Sequence, residues 1–151
     1  KIMSTLIALG LVFTVNAADL VVSDAYVREM PPGQTNTAAF LRLENKTDRA
    51  IEIIAATSEL AKQVELHRHQ HINDMVRMES VPSITVPAHA DFVFRSGEYH
   101  VMLLGLTQSV KEGDRVPLTL VAKNGDKVSV ELPVKSLLLK NETQKAHHSH
   151  H

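Results

Sequence analysis

The chain has 151 residues, a formal charge of −1, nine histidines, five methionines and no cysteine. That length suits one domain with a real core, and so small a charge gives no electrostatic hold on nucleic acid or on an anionic membrane surface. The missing cysteine removes disulfides, thiolate nucleophiles and every thiolate-dependent metal centre, including the blue-copper electron-transfer type.

Residues 1–18 read as a secretory signal peptide. Lys1 precedes an apolar run over residues 6–15, "LIALGLVFTV", and Val15-Asn16-Ala17-Ala18 then sets small residues at the offsets a signal peptidase uses. The run is too short for a stable transmembrane anchor, so no membrane insertion is expected after cleavage. Cleavage near Ala18 would start the mature protein near Asp19, and loss of Lys1 would take its charge from −1 to −2. Export without cysteine points to a bacterial periplasm, since the fold then gains nothing from an oxidising compartment.

From residue 19 onward the signals are for strands. Residues 19–29, "DLVVSDAYVRE", are β-rich, and "MPPGQTN" at 30–36 must be a loop because Pro-Pro-Gly breaks either regular structure. Residues 37–47 alternate apolar and polar, with Phe40 out of phase with Leu41 and Leu43. Strands are predicted next over 50–58, 61–69, 75–81, 83–88, 91–96 and 97–106. Two more, 116–123 and 127–136, flank Asn124-Gly125-Asp126, where Asn-Gly is a hairpin signal. Short strands with turns about every ten residues, and no amphipathic helix, predict one all-β domain over residues 19–138, an antiparallel sandwich or barrel. Residues 139–151, "LKNETQKAHHSHH" from Leu139, turn polar and are expected to form a flexible His-rich tail.

One stretch asks for a function. "GEYHVMLLGL" at 97–106 reads as a buried strand, yet it carries His100 and Met102. Residues i and i+2 of a strand share a face, so these two side chains point the same way. In "ELHRHQH" the same logic aligns His67, His69 and His71, with Met75 and Met78 beyond a turn at Asn73-Asp74. The expected geometry is a hairpin with His67 on one arm and Met78 on the return arm, and the strand of His100 and Met102 beside or opposite it. His69, His71 and His89 are expected to face solvent. Two imidazoles with two thioethers form a soft, neutral donor set that selects Cu(I) over oxygen-seeking ions and over Zn(II). The tail histidines His147, His148, His150 and His151 read either as a metal-capturing segment for Cu(II) or Zn(II) or as the remnant of a purification tag.

The spacing of His67, Met78, His100 and Met102 resembles the H-x10-M-x21-H-x-M signature of the periplasmic copper chaperone family PCuAC, at all four positions and both long gaps. The flanks "VELHRH", "MVRMESV", "VPAHADFVF" and "HVMLLGL" are similar to those of that family, as is "PPGQTNTAAFLRLEN". Together they cover about residues 19–134. The resemblance implies a cupredoxin-like β-barrel that binds one Cu(I) through His67, Met78, His100 and Met102. It also implies delivery to the copper site of cytochrome c oxidase subunit II, directly or through a second copper chaperone. Glu98-Tyr99 departs from the pattern, since relatives often have Gly before the ligand histidine. The tail departs too, with histidines but no methionine.

The leading expectation is therefore a periplasmic, monomeric copper carrier and not an enzyme. The alternatives are a small copper redox enzyme and a copper storage or resistance protein. Against catalysis, the motif has no thiolate, and Glu65 is the one carboxylate that alternates onto the His67 face.

Overall fold

The computed structural model describes residues 19–136. Ten strands follow one another: β1 (Leu20–Arg28), β2 (Thr37–Asn45), β3 (Ile51–Thr57), β4 (Ala61–Ile72), β5 (Met75–Ser80), β6 (Ile84–Val86), β7 (Asp91–Phe94), β8 (Tyr99–Leu106), β9 (Arg115–Ala122) and β10 (Lys127–Lys135). No helix occurs among the described residues. Each predicted strand is present, with every end within three residues of its predicted place.

The strands pair in the order β5-β4-β8-β2-β1-β10-β9-β3-β6, and β7 adds to β2. β2 shares one edge between two partners, β8 along Thr37 to Ala39 and β7 along Leu41 to Glu44. Every pairing is antiparallel except one: β1 and β10 run parallel, with Val27 beside Val134 and Arg28 beside Lys135. That parallel contact departs from the purely antiparallel expectation. It joins the β5-to-β1 half of the sheet to the β10-to-β6 half.

Alternation fills the core. Leu66 on β4, Leu41 and Leu43 on β2, Val101 and Leu103 on β8, and Leu118 and Leu120 on β9 are all buried and point inward. Removing such side chains from water contributes roughly 1.5–3 kcal/mol each and is the main force holding the barrel together. β1 breaks its own alternation. Asp24 adopts φ 49° at a bulge, where the pairing with β2 jumps from Ser23–Arg42 to Tyr26–Phe40. Before the bulge, Leu20 and Val22 face the core side; after it Val27 does, and Tyr26 and Arg28 are turned to the opposite face. One extra residue thus changes the phase of the strand.

β2 departs from the predicted half-polar pattern for a related reason. Phe40 is as buried as Leu41, though the two point to opposite faces. The face of β2 turned away from the core is itself covered: Phe40 lies 5.3 Å from the Tyr26 ring, and the Arg28 guanidinium sits 5.2 Å above it. This second covered face holds the His and Met residues.

Candidate metal centre

The site is built on β4, β5 and β8. Asn73 and Asp74, both at positive φ, close a tight hairpin between β4 and β5. Asn and Asp tolerate this left-handed conformation because their short polar side chains bond locally. The register places His69 opposite Met78 and His67 opposite Ser80. On the other edge of β4, His67 faces His100 and Glu65 faces Met102. Directly opposed residues in an antiparallel pair share a face. His67, His69, Met78, His100 and Met102 therefore stand together on the side of the sheet turned away from the core.

This answers why a strand carries His and Met in phase. Val101 and Leu103 fill the core from β8, while His100 and Met102 belong to the opposite face. His100 is nevertheless only 3% exposed, because His67, His69 and Phe40 close around it. Its ring centroid lies 5.6 Å from that of His67, 5.0 Å from that of His69 and 6.4 Å from that of Phe40. Burial holds the His100 pKa below its ordinary 6.5, the Glu98 carbonyl partly opposing the shift and the nearby His69, His67 and Arg28 adding to it.

Both predicted imidazole ligands present a free nitrogen. His100 Nδ1 is 3.3 Å from the Glu98 carbonyl oxygen, which can only accept, so in the neutral ring Nδ1 carries the hydrogen. The lone pair is then on Nε2, which is buried and has no hydrogen-bond partner. His67 is oriented in the reverse sense. Its Nε2 donates to Glu65 at 2.5 Å, and Gln63 donates to the other oxygen of the same carboxylate at 2.5 Å. His67 Nδ1 is left buried and unpartnered. An unpaired buried acceptor is costly, and fixing one ring nitrogen to leave the other free is the usual support for a metal-binding histidine. Glu65, the candidate base at the sequence level, is committed to orienting His67.

A cavity of about 150 Å³ lies among these side chains, bounded by Met78, His100 and Met102, by His69, and by Met30 from the loop after β1. Met102 is half-buried and Met78 is 51% exposed, at the rim. Three of the four predicted ligands line the cavity, and the fourth, His67, contacts His100 beside it. Among the described residues, no three His, Asp or Glu side chains converge on a point suitable for a metal. The cavity wall also carries the thioethers of Met30, Met78 and Met102, which are soft donors.

Two further His or Met side chains line the cavity, His69 and Met30, and neither is among the predicted ligands. His69, expected in solvent, is half-buried against His100 because the hairpin register sets it across from Met78. The phase it shares with His67 was the available signal. Met30 lies in a loop that no periodicity reaches. His71 and His89 are exposed, as expected. The tail histidines 147, 148, 150 and 151 and the signal segment 1–18 lie outside the described residues.

Comparison with known proteins agrees with this architecture. A family described as "Putative lipoprotein LpqE-like" matches residues 20–134. The curated protein "Putative lipoprotein Lxx21020" of Leifsonia xyli subsp. xyli is 30% identical over 125 residues, covering 82% of this chain and 74% of that protein. Among solved structures, that of CuI-DR1885 from Deinococcus radiodurans is 35% identical with a TM-score of 0.63, covering 78% of each chain. The copper-bound PCuAC domain from PmoF2 is 19% identical with a TM-score of 0.65, covering 78% of this chain and 93% of that one, and so shares the fold. The β-barrel is that of the PCuAC copper chaperone domains, and the chain belongs to the LpqE-like family.

Proposed function

We propose that this protein is a copper carrier that binds one Cu(I) through His67, Met78, His100 and Met102 and passes it to an acceptor protein. The observation that carries the reading is the pair of buried, unpartnered nitrogens, His100 Nε2 and His67 Nδ1, beside a cavity rimmed by Met78 and Met102. The 35% identical relative, whose structure is described as holding Cu(I), supports the choice of ion. A neutral donor set leaves the single charge of Cu(I) uncompensated but tolerable, and needs no thiol that an exported protein could lose to oxidation.

The geometry also suits handover. Met78 is on β5, which among the described residues pairs with β4 alone, and it stands where an incoming ligand can displace it. The copper would pass by ligand exchange, without a free-ion step and without change of oxidation state. The role is transport, and Glu65, the carboxylate beside His67, serves to hold that ring. The carrier would act in the periplasm, after export directed by residues 1–18. Its recipient would be cytochrome c oxidase subunit II or a second copper chaperone. His147, His148, His150 and His151 would capture Cu(II) or Zn(II) upstream of the main site.

The test is anaerobic Cu(I) titration against a competing chelator, on the wild type and on His67→Ala, Met78→Ala, His100→Ala and Met102→Ala. One equivalent bound, and weaker binding in each variant, is the expected result. Wild-type affinity in all four would overturn the assignment.

A further inference from the structure

Met78 is not across from His67. The β4–β5 register sets it directly opposite His69, and direct cross-strand partners have Cβ atoms roughly 4.5–5.5 Å apart, against about 7–8 Å for the diagonal that separates His67 from Met78. His69 also bounds the cavity itself, together with Met78, His100 and Met102. Its ring lies nearer to His100 than the His67 ring does, 5.0 Å against 5.6 Å between centroids. His67 is held by Glu65, whereas His69 is held in place by its backbone N–H, which donates to the Glu98 carbonyl at 3.1 Å.

His67, His69 and His100 do not converge on a common point suitable for a metal. Each of His67 and His69 is separately a ring neighbour of His100. From this geometry, and resting on the copper reading above, we infer that His69 is an alternate copper ligand. The ion has two arrangements that share His100 and the thioethers. In one the second imidazole is His67, deep and fixed by Glu65; in the other it is His69, nearer the exposed Met78. Passage between them forms one Cu–N bond as another breaks, with Cu(I) unchanged in charge and oxidation state. His69 is then the ligand through which copper enters and leaves.

The test compares Cu(I) affinity, by anaerobic competition, in the wild type, His67→Ala, His69→Ala, the His67→Ala/His69→Ala double variant and His100→Ala. If the two imidazoles substitute for one another, His67→Ala loses only about tenfold, and the double variant falls at least about tenfold further, a non-additive pair. A double variant no weaker than His67→Ala overturns the inference. His100→Ala reports on the copper reading separately. Weakened binding there, with no effect of His69, refutes the alternate ligand alone, while unchanged binding in His100→Ala refutes the copper site and the inference together. Should the double variant unfold, imidazole ¹⁵N shifts in folded His67→Ala decide the matter. A shift of the His69 ring on addition of one equivalent of Cu(I) is expected, and no shift overturns the inference.

Discussion

Met78→Ala should separate metal binding from folding, because the side chain stands at the rim. It is 51% exposed. Full burial of a methionine is worth roughly 1.5–3 kcal/mol, so the half kept from water contributes about 1 kcal/mol to stability. No cavity cost is added, since the site opens to solvent there. A core methionine cut to alanine would instead cost about 2–5 kcal/mol. For a domain of this size, 1 kcal/mol lowers the unfolding midpoint by about 4 °C. The effect on copper should be larger. Loss of one of two thioethers from a soft set should weaken Cu(I) binding about tenfold or more, that is, by about 1.4 kcal/mol or more. Zn(II), which gains little from sulfur of this kind, should change less. The assay is an anaerobic competition titration for Cu(I) and a parallel one for Zn(II), with thermal unfolding of the apo protein as control. An unchanged ratio of the two affinities would refute the reasoning, and so would a midpoint drop typical of a core cavity.

Glu65→Gln keeps the size of the side chain but removes the charge that fixes His67, and Cu(I) affinity should fall about 10–100-fold with the fold retained, as chelator competition and thermal unfolding would show. His100 resists protonation in the folded state, its pKa lying below the ordinary 6.5, while the unfolded chain takes up the proton near that value. Its contribution to apo stability is therefore complete above pH 6.5 and lost as the pH falls through the depressed folded value. Thermal unfolding followed downward from neutral pH should show that loss, and His100→Gln, with no titrating ring, should have a shallower slope.

Much of this was legible in the sequence, because strand periodicity and turn residues act locally. The Asn73-Asp74 turn and the shared phase of His100 and Met102 follow from two-residue alternation alone. The parts that escaped depend on register or on distant packing. His69 reads as a solvent residue until Met78 is set opposite it. Phe40 reads only as out of phase with Leu41 and Leu43; what covers it, Tyr26 and Arg28, reaches that face through the bulge at Asp24. The parallel contact between β1 and β10 leaves no local trace, since it joins segments more than a hundred residues apart.

That contact also makes the two ends of the barrel unequal. Lys135 lies beside Arg28, and its ammonium is 5.4 Å from the Tyr26 ring, one aromatic ring away from Phe40 and the cavity wall. Leu20 sits at the other end of β1, about 25 Å away at 3.3 Å per residue. Anything joined after residue 136 therefore starts at the rim of the cavity, and anything joined before residue 19 starts at the far end. A tether on the N-terminal side would hold the barrel with its cavity directed outward, toward whatever approaches from solution. A metal-binding extension or a reporter on the C-terminal side would share the cavity's immediate surroundings at high effective concentration.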